Sequence, residues 1–469
     1  CDAYGIPTPG EGLATTADEA VALAAKIGFP VVLKIVSPEI LHKTEAGGVL
    51  VGVSTEDDAR AGFDTIIANA RNYKADASID GVQVQQMVGG DSHEVIIGAT
   101  TDPTFGKVVA FGLGGVLVEV LKDVTFRLAP LDQATALSML DGIAAAEVLR
   151  GARGAEPVDR DTLADVLRRV SELVTDFPEI AEFDLNPVFA SASGAVAADV
   201  RIILSAGPVE ERRRIPQEEI LRVMTRLMNP KAVAVIGASD QEGKIGNSVM
   251  KNLVNGGYAG EIHPINPKAS SILGRTAYAS IGDVPGDVDV AVFAIPAKFV
   301  PAALEECGAK GVPAAVLIPS GFAETGNQDL QDEIVEIARR RGIRMLGPNI
   351  YGYYYTPQNL CATFCTPYDV KGGVALSSQS GGIGMAILGF ARSTKMGVSA
   401  IVGLGNKADV DEDDLITYFE QDDNTNVVAM HLEDLKDGRA FVAAAQRTIR
   451  KKPIIVLKAG RTAMGARAA

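Results

Sequence analysis

Lys34, His42 and Lys43 fall within one short block, KIVSPEILHKTEAGGV, residues 34–49. The block starts at the end of an apolar run, FPVVLKIV, and closes on Gly47-Gly48 ahead of a second apolar run. A lysine at a strand end is a fixed cation that can pair with phosphate oxygens. An imidazole is a nucleophile able to carry a phosphoryl group. The same residues also suit a solvated turn with a snorkelling lysine, so the other chemistry-bearing positions must decide.

Asn186 and Asp199 stand thirteen apart on segments that read as paired strands. Both are oxygen donors suited to Mg2+ bridging phosphates. Glu182 and Asp184 either support them or form a solvated acidic edge. VAVIGASDQEGKIG, residues 233–246, is a strand, a Gly-rich turn and a helix start, which aims backbone N–H groups at an anion. Its glycines, Gly237, Gly243 and Gly246, miss the spacing of a dinucleotide site. Where an acidic residue would hold an NAD ribose, INPKAS offers Lys268, which suits a phosphate-rich adenine nucleotide such as coenzyme A. An ordinary turn is the alternative. Ser378, Gln379, Ser380 and Gly381 in SSQSGGIG form a second strand-to-helix junction of this kind. Glu433, at a strand end in HLEDLKDG, is placed to pair with an imidazole or to cap the next turn.

The 469 residues predict two to four domains. An apolar content of 47% and a charged content of 22% are those of a globular protein. The net charge of −15 argues against a nucleic-acid surface. No apolar run approaches the ~20 residues of a membrane span, and no secretion signal opens the chain. The expectation is a cytoplasmic protein without membrane or nucleic-acid partners. Cys1, Cys307, Cys361 and Cys365 are too few and scattered for a disulfide framework, and read as reduced, packed thiols. The first residue is Cys1 rather than Met, and KAGRTAMGARAA closes the chain without a cap, which reads as a piece of a longer polypeptide.

Residues 1–206 read as an α+β domain with hairpins. A capping box at Thr16–Glu19 opens a helix ending at Gly28. Strands follow at FPVVLKIV, GVLVGV, GVQVQQMV, EVIIGAT and KVVAFGL, then a helix over 160–176 and two short strands about DLNPVFASASGAVAADVRI. Residues 207–227, polar and Pro-bearing, read as a linker. Residues 228–356 alternate strands (KAVAVIG, EIHPIN, VDVAVFAIP, AAVLIP, RMLGP) with helical segments, the pattern of a doubly wound parallel sheet. A second such run occupies 357–469 and breaks off after its last strand.

These blocks resemble a known family. VAVIGAS, GKIG, HPINPK, PSGFAETG, LGPN, GGVALSSQSGGIG, GLGNKADVDEDDLITYFEQD and EDLKDGRAF resemble the CoA-binding and ligase modules of the NDP-forming acyl-CoA synthetase superfamily. AYGIPTP, VVLKIVSPEILHKTEAGGV, DPTFGKVVAFGLGGVLVEVLKD, EFDLNPV and AADVRI resemble its ATP-grasp module. The superfamily holds succinyl-CoA synthetase and the ADP-forming acetyl-CoA synthetases. The resemblance implies an α/β multidomain chain: an ATP-grasp α+β domain, a Rossmann-like CoA-binding domain and a flavodoxin-like ligase domain that is incomplete.

It further implies that Lys34 meets ATP phosphates, Gln85 and Met87 line the adenine, Glu94 holds the ribose, and Asn186 and Asp199 ligate Mg2+. Gly237, Ser239, Lys268 and Pro296 fall at the CoA site. Ser378, Ser380 and Gly381 fall where a phosphohistidine is stabilised, Glu433 where its imidazole is paired, and Asn349 and Ile350 where the CoA thiol meets the acyl group. His42 matches the histidine that some ADP-forming members use as a second phosphoryl carrier. Relatives place a Ser-His-Thr-Gly block shortly after the point where this sequence stops. None of His42, His93, His263 and His431 matches it, and His431 reads as packing. Ile350 departs from the Cys or Ser of relatives, and Tyr351, Tyr353, Tyr354 and Tyr355 follow as either an acyl pocket or an aromatic packing edge.

The implied activity is that of an acid–thiol ligase, an ADP-forming acyl-CoA synthetase. It uses Mg2+, ATP/ADP, coenzyme A and a small carboxylic acid, passes through acyl phosphate and phosphohistidine, and works as a homo-oligomer. Two other classes use some of the same parts. One is an ATP-grasp ligase without a histidine shuttle; the other is a CoA-binding or acyl-transfer regulator with degenerate synthetase modules.

Overall fold

Strands β1 (Glu11–Ala14), β2 (Val31–Val36), β3 (Val49–Val53) and β4 (Gly81–Gln86) make the first sheet of the computed structural model, antiparallel in the order β1-β4-β2-β3. Its inner residues, among them Leu33, Ile35 and Val84, are buried with Ala20 and Ala24 of α1 (Ala17–Ile27) and Phe63 and Ile66 of α2 (Glu56–Tyr73). Thr16 Oγ1 accepts the Glu19 N–H at 3.2 Å, and Glu19 accepts the Thr15 N–H at 2.8 Å, so α1 begins with its free donors satisfied. The structure describes residues 1–40, 42–114, 123–152, 156–207, 215–367 and 370–460. Most of GGVLVEVLKD, residues 208–214 of the expected linker and the last residues from 461 onward lie outside the described residues.

The second sheet runs β10-β8-β5-β6-β7, with β9 on β8. Its strands are β5 (His93–Asp102), β6 (Gly106–Leu113), β7 (Val124–Leu128), β8 (Ile180–Ser191), β9 (Gly194–Ala197) and β10 (Val200–Leu204). Helices α3 (Gln133–Asp141), α4 (Ala146–Leu149) and α5 (Arg160–Asp176) contribute to its core, α5 through Leu163, Leu167, Val170 and Val174. Where two short strands were expected near Asn186, the structure has the 12-residue β8 and then β9 and β10. The ladder between β5 and β8 shifts register between Val95 and Ile97, opposite Asn186-Pro187. Proline offers no N–H there, and such a bulge re-aims the neighbouring side chain. These elements form one compact unit, Cys1–Glu211.

The second unit, Arg212–Ala469, opens with a correction to the expected linker. Residues 217–227 belong to helix α6 (Gln217–Met228), which buries Ile220, Val223, Met224, Leu227 and Met228. The polar PQEE at its start is only its first turn; the helical spacing of the apolar residues beyond it decides the structure. The Rossmann-like sheet is parallel, in the order β12-β11-β15-β16-β17. Its strands are β11 (Ala232–Ile236), β12 (Glu261–Ile265), β15 (Val290–Phe293), β16 (Ala314–Leu317) and β17 (Arg344–Leu346), with a small hairpin of β13 (Ser271–Ile272) and β14 (Arg275–Thr276). Helices α7 (Ile245–Asn255), α8 (Val300–Lys310) and α9 (Gln328–Arg341) connect them.

The flavodoxin-like sheet runs β19-β18-β21-β20-β22-β23. It combines the antiparallel pair β18 (Gly352–Tyr355) and β19 (Leu360–Thr363) with the parallel strands β20 (Lys371–Ser378), β21 (Val398–Gly403), β22 (Val427–Leu432) and β23 (Ile454–Lys458). Helices α10 (Gly381–Thr394), α11 (Glu412–Gln421) and α12 (Gly438–Thr448) complete it. Strand β18 pairs with β21, so Gly352–Tyr355 belong to this sheet and not to the Rossmann-like segment ending at residue 356. Tyr353, Tyr354 and Tyr355 are almost fully buried there, and their hydroxyls bond to Leu227 C=O, Thr366 C=O and the Asp422 carboxylate at 2.6, 2.6 and 2.8 Å. Of the two readings of these tyrosines, packing is the one the structure displays. Residues of α6, β11, β18 and β21 share one hydrophobic cluster. No helix among the described residues is long and apolar enough to cross a membrane.

Lys407 is fully buried in the loop after β21, with Nζ 3.1 and 3.2 Å from the two Glu412 carboxylate oxygens and 3.0 Å from Asp434 Oδ1. Burial pushes the Glu412 carboxyl up to about 7 while Lys407 pulls it down. Removing one partner leaves an uncompensated buried charge. Lys407→Met should therefore lower unfolding stability in urea by about 3–5 kcal/mol, and Lys407→Met/Glu412→Met should recover most of that loss. A single variant as stable as the parent would contradict this assignment.

Candidate active site

A cleft of about 530 Å³ in the first unit gathers Lys34, His42, Gln85, Met87, Glu94, Asn186 and Asp199 on its wall. Lys34 lies on β2, 8% exposed, and its Nζ donates to Ala198 C=O at 2.7 Å. Burial lowers its pKa below the usual lysine value; Asp199 opposes the shift and Lys43 adds to it. Gln85 Nε2 donates to the same carbonyl at 3.1 Å and to Glu11 at 2.8 Å. Met87 follows β4, half-buried, with its N–H 3.4 Å from Pro30 C=O. Glu94 on β5 is exposed. Val32, Val51 and Phe189 add apolar wall, and an aromatic base needs such surface beside polar contacts.

His42 is exposed at the start of a turn closed by Ala46 N–H to His42 C=O (3.2 Å) and Gly48 N–H to Lys43 C=O (2.8 Å). Gly48 is required by close approach: a Cβ there would stand 2.4 Å from Ile35 Cγ2. Lys43 Nζ meets both Asp199 carboxylate oxygens, at 2.9 and 3.0 Å. Asp199 sits beside Asn186, whose N–H donates to Asp199 C=O at 3.2 Å. One carboxylate and one carboxamide on the cleft wall are hard oxygen donors of the kind Mg2+ takes when phosphates and water complete its shell. The donor set thus fits the metal. Glu182 is exposed and pairs with Arg201 at 3.0 Å, as a solvated edge does. Asp184 is half-buried, and burial raises its carboxyl pKa above the ordinary range while Arg201 opposes the shift.

In the second unit, Gly237 and Ser239 lie where β11 turns toward α7. Gly237 has φ +86, and a Cβ on Gly246 would stand 2.0 Å from Gly237 C=O, so strand end and helix start touch backbone to backbone. Asn247 and Asn266 brace this turn through Ser239 C=O (3.0 Å) and Ala238 C=O (2.8 Å). Lys268 and Pro296 are exposed just past β12 and β15, so all four residues cluster at the C-terminal edge of the parallel sheet, the usual ligand crevice of such sheets.

Ser378, Ser380 and Gly381 lead from β20 into α10. Ser380 caps α10 through the Ile383 N–H at 3.4 Å, and open space surrounds the Cβ position of Gly381. Ser378 is buried, 2.8 Å from Ser380 C=O and 3.4 Å from Nδ1 of the buried His431. Glu433, half-buried past β22, is held by its backbone: its N–H donates to Gln379 Oε1 and its C=O accepts from Lys458 Nζ at 2.7 Å. Gln379 Nε2 in turn donates to Asp434, which also binds Lys407. Asn349 is exposed with φ +61, whereas Ile350 is buried in the shared hydrophobic cluster and does not line an open surface. The four cysteines are free thiols.

Glu11, Asn247, Asn266 and Lys407 were not singled out as site residues from sequence. Lys43 and Gln379 stood inside the quoted blocks, but nothing in the sequence ties Lys43 to Asp199 or Gln379 to Asp434.

A polar cleft in one unit, with a Gly-rich strand–helix turn and a flavodoxin-like strand–helix junction in the other, is the architecture of the ATP-grasp and CoA-binding class of ligases. Residues 1–204 match the ATP-grasp domain family, 231–356 the CoA binding domain, and 371–469 the succinyl-CoA ligase like flavodoxin domain. The chain is 39% identical over 472 aligned residues to the ADP-forming acetate–CoA ligase II of Archaeoglobus fulgidus, covering 99% of this chain and 67% of that protein. It is 49% identical over 249 residues to the alpha subunit of the ADP-forming acetate–CoA ligase I of Pyrococcus furiosus, covering 52% of this chain and 54% of that subunit. Among solved structures, the dinucleotide-forming acetyl-coenzyme A synthetase 1 of Ca. Korarchaeum cryptofilum with phosphate and ADP aligns at TM-score 0.51 and 46% identity, over 52% of this chain and 53% of that one. The chain belongs to the ADP-forming acetate–CoA ligase family of the NDP-forming acyl-CoA synthetase superfamily. It spans two-thirds of the first of these relatives and about half of the other two.

The lowered Lys34 pKa has a direct consequence. The charged ammonium is lost at a lower pH than that of an ordinary lysine, so attraction for phosphate fades earlier as pH rises. ADP affinity, measured calorimetrically between about pH 7 and 10, should fall with rising pH, and Lys34→Arg should flatten the profile. A flat profile in the parent protein would contradict this role.

Proposed function

We propose that this chain forms the catalytic body of an ADP-forming acyl-CoA synthetase, converting a carboxylate, ATP and CoA to acyl-CoA, ADP and phosphate. The observation that carries the reading is the convergence of seven candidate ATP, metal and phosphoryl-carrier residues on one cleft, in a chain that continues into CoA-binding and ligase modules. Lys34 pairs with the phosphates, Gln85 and Met87 flank the adenine, and Glu94 takes the ribose hydroxyls. Asn186 and Asp199 hold Mg2+, which neutralises charge on the phosphates it bridges. Gly237, Ser239, Lys268 and Pro296 seat the adenine nucleotide part of CoA.

A histidine takes the γ-phosphoryl of ATP and passes it to the substrate carboxylate. The thiolate of CoA then attacks the acyl phosphate, and phosphate leaves. Each transfer divides one difficult step into two easier ones. His42 is a phosphoryl carrier in this relay. Ser378, Ser380, Gly381 and the N-terminus of α10 stabilise phosphate at the second station. Glu433 pairs with a phosphorylated imidazole there, and Asn349 borders the acyl end, its neighbour Ile350 being buried in the core. The net charge of −15 and the absence of a membrane-spanning helix among the described residues support a cytoplasmic protein that handles small molecules. The protein works as a homo-oligomer in this reading.

The intact protein incubated with Mg-ATP, CoA and short mono- and dicarboxylates should release ADP and phosphate in step with acyl-CoA. AMP as the product would overturn the reading. His42→Ala should lower turnover about a thousandfold or more; an unchanged rate would favour an ATP-grasp ligase without a histidine shuttle.

A further inference from the structure

The turn that carries His42 is tied to the opposite wall of the cleft by a charge. Its other bonds stay local: Ala46, Gly47 and Gly48 donate within the turn, Ile35 N–H binds Gly48 C=O, and Asn69 Nδ2 binds Gly47 C=O at 2.9 Å. Among the described residues no hydrogen bond or ion pair but Lys43–Asp199 joins residues 42–48 to the second sheet. The two side chains are 27% and 35% exposed, so solvent reaches them. An ion pair so exposed is worth little, about 0–1 kcal/mol, and readily gives way to a stronger rival.

Asp199 is also the carboxylate assigned above to the metal. An ammonium on both of its oxygens and a divalent cation on the same oxygens compete for the carboxylate and repel one another. Lys34 does not enter this competition, because its Nζ is seated on the Ala198 carbonyl.

We propose that Lys43 and Asp199 form a latch, which holds the His42 turn across the cleft until a divalent cation takes the Asp199 carboxylate. Arrival of the cation frees the Lys43 ammonium for incoming phosphate and releases the His42 turn. Occupancy of the metal site is thereby coupled to the position of the phosphoryl carrier. Linkage makes the coupling reciprocal: the pair weakens metal binding by the same factor by which metal weakens the pair. The latch rests on the reading of Asp199 as a metal ligand.

Two readouts without turnover test it on the nucleotide-free full chain. The first is Mn2+ binding, followed by the electron paramagnetic resonance signal of the free ion. The second is the rate of His42 modification by diethyl pyrocarbonate, mapped by peptide mass, with the buried His263 and His431 as internal references. Lys43→Met should bind Mn2+ about fivefold more tightly than the parent, and its His42 should react quickly with or without metal. In the parent, saturating Mn2+ should accelerate His42 modification, and Lys43→Arg should restore parental behaviour. Parental Mn2+ affinity and His42 reactivity in Lys43→Met, with Mn2+ binding lost in Asp199→Asn, would overturn the latch alone. Parental Mn2+ binding in Asp199→Asn would overturn the metal reading and the latch with it.

Discussion

The first unit depends on how two consecutive residues, Ala198 and Asp199, receive cations and amides from the opposite sheet. Lys34 and Gln85 both donate to the Ala198 carbonyl, and Lys43 meets the Asp199 carboxylate. Burying Lys34 costs solvation of its charge, which the carbonyl and the nearby carboxylate offset only in part, as its lowered pKa records. A cation held at such a cost beside an open cleft is preorganised for an anion and needs little rearrangement when one arrives. The register shift opposite Asn186-Pro187 falls where the Asn186 N–H meets the Asp199 carbonyl, and both residues line the cleft.

The candidate anion sites proposed for the second unit rest on backbone rather than on buried cations. Two sheets end their parallel strands at helix N-termini, α7 after Gly237 and α10 after Ser380. At the first, glycine is obligatory because strand and helix backbones touch. At the second, Gly381 leaves the helix end open while Ser380 satisfies one donor. Glu433 is held at the second junction by a chain of contacts running through Gln379 and Asp434 to Lys407 and Glu412. Much of the rigidity of that strand edge therefore comes from one fully buried ion pair.

The sequence made the strands and most of the polar endpoints legible, because alternation of apolar residues and Gly-rich junctions are local signals. Lys34, Gln85, Met87 and Glu94 lie on or beside strands that can be read from their own periodicity. Helix α6 was misread as linker because its first turn is polar, although its later residues carry a clear apolar face. Strand β18 was not read from sequence, where Tyr351–Tyr355 stood as an acyl pocket or a packing edge; its pairing with β21 depends on residues far along the chain. The Lys43–Asp199 pair was invisible for a different reason. It joins positions 156 apart, and no local pattern encodes which of many lysines meets a given carboxylate.

Charge on the cleft wall sets a condition on what it can accept. Lys34 and Lys43 face Glu45, Glu94 and Asp199, two cations against three carboxylates, in a chain whose net charge is already −15. A bare triphosphate would enter against this balance. With a divalent cation on Asp199 the balance reverses: that carboxylate is neutralised and Lys43 is no longer occupied by it. Under the proposed latch the wall then offers the phosphates a metal and the released Lys43 ammonium, beside Lys34, whose Nζ stays on the Ala198 carbonyl. Under the proposed latch, competition at one carboxylate would make the cleft favour a metal–nucleotide complex over the nucleotide alone.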